Sequence, residues 1–78
     1  MVVITGVLPH SRAEKAGIKP GDYLLEINSH EINDVLDYRF RLADTTVILK
    51  LHRGPDIIEK KIKKEEYDDI GLEFGTPL

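Results

Sequence analysis

The run "SRAEKAGIKPGD", residues 11–22, constrains this chain more than any other stretch. Both ends of one short helix are written into it. Ser11 and Glu14 have the S-x-x-E spacing of a capping box, in which the serine hydroxyl holds the Glu14 amide and the Glu14 carboxylate returns to the serine amide. Ala13 and Ala16 give a small apolar face. Gly17 stands where a helix needs a left-handed residue just past its end, and Ile18 supplies the hydrophobic contact of a Schellman stop. Pro20-Gly21 then reads as a type II turn, with proline presetting φ and glycine taking a positive φ. The spacing predicts a helix of barely two turns and an immediate reversal of the chain.

Strand patterns surround it. "MVVITGVL" is β-branched and nearly continuous, the pattern of a strand covered on both faces. "DYLLEIN" predicts a strand with Leu25 and Ile27 on one face and Leu24 on the other. "NDVLDYRFRLAD" fits a second helix with Asn33 as N-cap, Asp34 and Asp37 in its first turns, and Arg39 and Arg41 near its end. Leu36, Phe40 and Ala43, spaced i, i+4, i+7, are expected on its buried stripe, which assigns Phe40 to the core. Asp37 and Arg41 form an i, i+4 pair on the neighbouring face. "TTVILKLHR" predicts a strand with Val47, Leu49 and Leu51 inward, "GPD" turns it, and "IIEKKIK" returns as a weaker strand whose lysines suit a sheet edge. "EEYDD" reads as a solvated turn, and "LEF" alternates as a short half-buried strand. The order is β-α-β-α-β-β-β, a small α+β domain of five strands and two helices with a short final strand.

Composition narrows the function classes. The 78 residues are read as one domain, 1–78, with a core near the lower limit of independent stability. A chain 41% hydrophobic and 32% charged is that of a folded protein rather than a disordered one. The formal charge of −3 leaves no basic face, so nucleic acid is not an expected partner. Lys60, Lys61, Lys63 and Lys64 abut Glu65, Glu66, Asp68 and Asp69 and read as a solvated edge. No apolar run approaches a membrane span, so a membrane is not expected either, and "MVVITGVL" lacks the length and basic flank of a signal peptide. With no cysteine, these residues offer no disulfide, thiol chemistry or iron–sulfur ligation, which fits a cytoplasmic location. His10, His30 and His52 lack zinc-site spacing. "GIKPG" lacks the Gly-Lys-Ser/Thr end of a phosphate loop, and no G-x-S-x-G elbow presents a nucleophile. The domain is expected to be non-catalytic, without cofactor or metal.

The run "SRAEKAGIKPGDYLLEIN" resembles the core signature of PDZ domains, Ser-x-Ala-x-x-Ala-Gly-Ile-x-x-Gly-Asp-x-Leu-Leu-x-Ile-Asn. The order of elements is similar over nearly the whole chain. One departure is Ser29-His30, where PDZ domains usually have glycine after the asparagine, and it leaves the form of that turn open. The resemblance implies a small, partly open β-barrel or sandwich that binds peptides beside a Gly-Leu-Gly-Phe type loop, whose amides receive the ligand's terminal carboxylate. The nearest equivalent here is "GLEF", Gly71 to Phe74, at the far end of the chain. That implies a circular permutant, in which the first strand is the familiar third and the last is the familiar ligand-pairing second. Ile70, Gly71 and Leu72 then form the amide nest, and a peptide adds antiparallel to residues 72–76, facing the helix from Asn33 to Ala43. Leu72 and Phe74 serve either the core or a ligand pocket. Asp37 and Arg41 either read polar ligand positions or pair with each other. Glu73 replaces the loop's second glycine, and with Asp68 and Asp69 upstream it opposes an anion in the nest.

A narrower resemblance rests on "DVLDYRF" and "IGLEF". Both are similar to the N-terminal PDZ-like domain of a bacterial family in which a radical-SAM-like iron–sulfur protein of poorly defined function follows. It implies a domain excised from the N-terminus of a longer chain, with any cluster and its chemistry downstream. The expected function is a protein-interaction module for a peptide or protein segment. The alternatives are a structural domain docking onto the downstream domain of its own chain, or the PDZ domain of an envelope or membrane protease.

Overall fold

In the computed structural model, which describes residues 1–75, the chain runs β1 (Val2–Val7), α1 (Arg12–Lys15), β2 (Tyr23–Ile27), β3 (His30–Glu31), α2 (Val35–Arg41), β4 (Thr46–Arg53), β5 (Asp56–Lys63) and β6 (Leu72–Phe74). The strands hydrogen-bond in the order β5-β4-β2-β1-β6, with β3 added to β2, and every pairing is antiparallel. This is the expected small α+β architecture, with the two-residue β3 as a sixth strand.

The short helix α1 is specified as its sequence predicts, with one change. The Glu14 amide donates to Ser11 Oγ at 3.2 Å, but the Glu14 carboxylate accepts from the His10 amide at 2.8 Å rather than from Ser11. The Ser11 amide is drawn instead to the Leu8 carbonyl. At the other end Ile18 N–H reaches the Ala13 carbonyl and Gly17 N–H the Glu14 carbonyl, the paired bonds of a Schellman stop, with Gly17 at φ 85°. The Asp22 amide then closes the type II turn onto Lys19 O, with Gly21 at φ 95°.

The turn delivers Asp22, whose side chain is 3% exposed, to the end of β4. Arg53 grips it with two bonds, Nε to Oδ1 at 2.8 Å and Nη2 to Oδ2 at 2.7 Å, while Nη2 also donates to Gly17 O. The Arg53 guanidinium holds the Asp22 carboxyl below its ordinary pKa, against the opposing pull of burial. A fork of this kind ties the β1–β2 connection to the far end of β4.

The core is built from Ile4, Leu24, Ile27, Ile32, Val47, Leu49, Leu51 and Ile70. Val47, Leu49 and Leu51 point inward as the alternation of β4 requires. In β2 the alternation breaks: the register against β4 shifts between Leu24 and Glu26. Leu24 and Ile27, three residues apart, therefore both face the core, and Leu25 is half-buried rather than Ile27's partner. β1 is likewise not covered on both faces, since only Ile4 is buried and Thr5 is exposed. Asn28 and Ser29 turn β2 into β3 with φ of 50° and 66°. The Asn28 side chain secures the turn to Thr46 O, Asp44 and the Ile48 amide.

The second helix departs most from expectation. Its N-cap is Asp34, which accepts from the Asp37 amide at 2.8 Å, and not Asn33. The Asp37 carboxylate returns to the Asn33 amide at 2.9 Å, one residue before the cap, as Glu14 does to His10 at α1. The buried stripe is Val35, Tyr38 and Leu42, and Leu36 and Phe40 lie 63% and 73% exposed. Phe40 is thus not a core residue, and Ala43 is half-buried. Lys64 is a second correction: it is buried at 7% exposure, and its ammonium donates to the carbonyl of Leu42, the C-cap of α2, and to that of its neighbour Glu65. It is a helix-terminating cation rather than part of a solvated edge.

Candidate functional site

β6 lies at one end of the sheet. Its one strand neighbour among the described residues is β1, in the register Val7↔Leu72, Gly6↔Glu73 and Ile4↔Phe74, with a bulge between Ile4 and Gly6. The Glu73 side chain lies across Gly6 and is exposed, on the opposite side from Leu72 and Phe74. Leu72 is buried at 7% exposure and Phe74 is half-buried against the core. Thr76, the last residue of the expected ligand-pairing run 72–76, lies outside the described residues.

The turn into β6 is formed by Ile70 and Gly71. Their carbonyls are drawn back into the fold, accepting from Ala13 N–H and Leu8 N–H, both at 2.9 Å. Gly71 sits at φ 94°, and an added Cβ would collide with Ser11 Cβ. Only glycine satisfies both the conformation and the approach. The carbonyls being committed to one side, the amides of the turn face the other, toward α2.

Two side chains meet them there. Asp69 Oδ1 accepts from the Gly71 amide at 3.0 Å and from the Tyr38 hydroxyl at 2.9 Å. The Ile70 and Leu72 amides also bear on the phenolic oxygen, which lowers the pKa of Tyr38, but burial and the neighbouring Asp69 charge outweigh them and push it up. The Tyr38 ring meets Phe74 edge-on, with centroids 4.9 Å apart and planes at 64°. Tyr38 therefore joins α2 to β6. Of the acids upstream, Asp68 is 3.7 Å from Arg12, a half-exposed contact of little energetic weight.

Among the residues singled out from sequence, Ile70, Gly71, Leu72 and Phe74 come together at this junction, while Glu73 points out. Asp37 and Arg41 lie on α2 and Asn33 just before its cap, but all three are otherwise engaged. Asn33 and Asp37 bond to each other at the cap, and Arg41 lies over the Phe40 ring at 5.1 Å. Asp37 and Arg41 form no ion pair among the described residues. Tyr38, Asp69 and Ser11 were not singled out as site residues. The periodicity does contain Tyr38, as the i+3 member of a stripe beginning at Val35, and Asp69-Ile70-Gly71 has the Asx-turn spacing of a carboxylate that caps the amide two residues on.

An open cleft beside Gly71 is lined by Leu8, His10, Ser11, Arg12, Lys15 and Asp69. No cluster of three or more metal-ligating side chains occurs among the described residues, and no helix there is long and apolar enough to cross a membrane.

A family model described as a PDZ domain matches residues 3–53, from β1 to the end of β4. The chain is 33% identical over 63 residues to a Clostridium perfringens protein named provisionally as a zinc metalloprotease, a match covering 77% of this chain and 19% of that protein. It is 32% identical over 79 aligned positions to a Haemophilus influenzae protein named provisionally as a periplasmic serine protease like Do and HhoA, covering 96% of this chain and 17% of that one. The chain thus spans less than a fifth of the length of these curated relatives.

Proposed function

We propose that this chain, which belongs to the PDZ domain family, is a protein-interaction module that receives an extended peptide or protein segment as an added strand along β6, between β6 and α2. The observation that carries this reading is the position of β6: it ends the sheet, has one strand neighbour among the described residues, and stands next to α2. Main-chain bonds along such an edge supply affinity, and the flanking side chains supply selection. In this reading the chain is a circular permutant, with β6 doing from the far end of the chain what an early strand does elsewhere in the family. The pairing of β6 with β1 supports it.

Two parents suit such a module. The names of the two relatives support a protease, in which the module would present or retain protein segments. The runs "DVLDYRF" and "IGLEF" support instead a cytoplasmic chain with a radical-SAM-like iron–sulfur part downstream. Within that parent, exposed Leu36 and Phe40 on α2 favour docking onto the same chain. In neither case does this domain hold the chemistry.

The test is an amide NMR titration with a pool of extended peptides. Shifts concentrated in Leu72–Phe74 and Val35–Arg41 are expected. Shifts confined to β5, the other sheet edge, or none at millimolar peptide, rule the reading out.

A further inference from the structure

We propose that the groove reads internal extended segments rather than chain ends, because the chain's own Tyr38 and Asp69 occupy the position a terminal carboxylate would take. The proposal rests on the strand-addition reading and deepens it. A chain end is recognised when its carboxylate finds unpaired amides converging on one point. Here the central amide is answered from within. Gly71 N–H already donates to Asp69 Oδ1, and the Tyr38 hydroxyl donates to the same oxygen from the α2 side.

Of the two occupants, Asp69 is exposed and held by its bonds to Gly71 and Tyr38, whereas the Tyr38 ring is fixed by packing. Tyr38 is 3% exposed and wedged against Phe74. Gly71 is backed by Ser11 and held through its carbonyl by Leu8. An incoming carboxylate would have to displace a buried ring and then lie beside the Asp69 charge. Two like charges at that spacing weaken binding by roughly tenfold or more. A segment that passes through the groove without ending there meets neither obstacle, since it needs only the edge of β6.

The experiment compares acid and amide ends of the same probe. Uniformly 15N-labelled domain is titrated with N-acetylleucine and N-acetylleucinamide, and separately with one extended peptide pool carrying either free or amidated C-termini. The wild type is expected to show no acid-specific shifts at Ile70, Gly71 and Leu72, and to bind both peptide forms within about twofold. Asp69→Asn, and Asp69→Asn combined with Tyr38→Leu, should gain a preference for the acid, about tenfold in the double variant. Asp69→Asn alone keeps the core intact if the double variant fails to fold. Saturable acid-specific shifts in the wild type, or variants that fold yet gain no acid preference, overturn the proposal. A peptide pool that moves neither β6 nor α2 removes the strand-addition reading, while the N-acetylleucine arm still decides who occupies the nest.

Discussion

Replacing Gly71 with alanine separates two costs that the structure lets one estimate independently. The first is conformational. Gly71 sits at φ 94°, where a side chain costs about 1–2 kcal/mol. The second is steric: the new Cβ would collide with Ser11 Cβ and lie 2.6 Å from Ser11 Oγ. Because Ser11 Cβ is attached directly to the backbone, it cannot swing away, and α1 must shift. Losing the Ser11 cap adds about 1 kcal/mol, and strain in the surrounding packing a further ~1 kcal/mol. Gly71→Ala is therefore expected to cost about 3–4 kcal/mol. That is a large share of the roughly 4–12 kcal/mol such a chain has in total. Gly21 is the matched control, with φ 95° and nothing within 4 Å of an added Cβ. Gly21→Ala should cost only the conformational part, about 1–2 kcal/mol. Urea unfolding followed by circular dichroism reads both, as midpoint shifts at an unchanged slope. Equal losses in the two variants would mean that the close approach of Gly71 to Ser11 contributes nothing, and the steric argument for this turn would be wrong.

Acid should weaken the Asp22–Arg53 lock. The folded pKa of Asp22 lies below its ordinary 3.8, so its contribution is complete above that value and is lost as pH falls through the folded one. Asp22→Asn should flatten that part of the stability–pH curve, and an unchanged acid slope would show that other carboxylates set it. Ser29, a non-glycine residue at φ 66° and exposed, should gain about 0.5–1 kcal/mol on replacement by glycine, seen as a higher thermal midpoint. Lys64→Met should cost about 1 kcal/mol by removing the ammonium's bonds to the Leu42 and Glu65 carbonyls, which keep the Tyr67 and Asp68 amides as donors, with amide exchange in α2 accelerated more than in β4. Phe40→Ser, by contrast, should stay within about 0.5 kcal/mol of wild type, since the ring is exposed.

What the sequence made legible were local devices that act over four or five residues. The Schellman stop at Gly17, the type II turn at Pro20-Gly21 and the inward alternation of β4 depend on nothing distant. Where two local solutions compete, the sequence alone does not choose. Asn33 and Asp34 are both good N-caps, and α2 offers two apolar stripes, Leu36–Phe40–Ala43 and Val35–Tyr38–Leu42, of which the fold buries the second. The bulge in β2 has the same character, since alternation cannot reveal an extra residue in a strand. The long-range pairs were out of reach for a different reason. Asp22 with Arg53, and Tyr38 with Asp69, are each 31 residues apart. No periodicity connects them.

The part of the sequence that announces itself most plainly also shapes the junction at the other end of the chain. Ser11 caps α1 and, through its Cβ, fixes how close Gly71 can come. Ala13 N–H, exposed by the first turn of that helix, takes the Ile70 carbonyl. With the Ile70 carbonyl committed to α1 and the Gly71 carbonyl to Leu8, the Gly71 amide is turned to the other side, where it needs a partner whether or not a ligand exists. A buried amide without a partner costs about 1–3 kcal/mol, so a chain that builds such a nest must fill it. Asp69 reaches the Gly71 amide with a single Asx turn, and the buried stripe of α2 brings Tyr38 to the same point. A ligand that displaced them would have to replace bonds already made. On the proposed strand-addition reading, one that adds along β6 would keep those bonds and gain its own, which is the ground for proposing a segment that runs past the nest over one that ends in it.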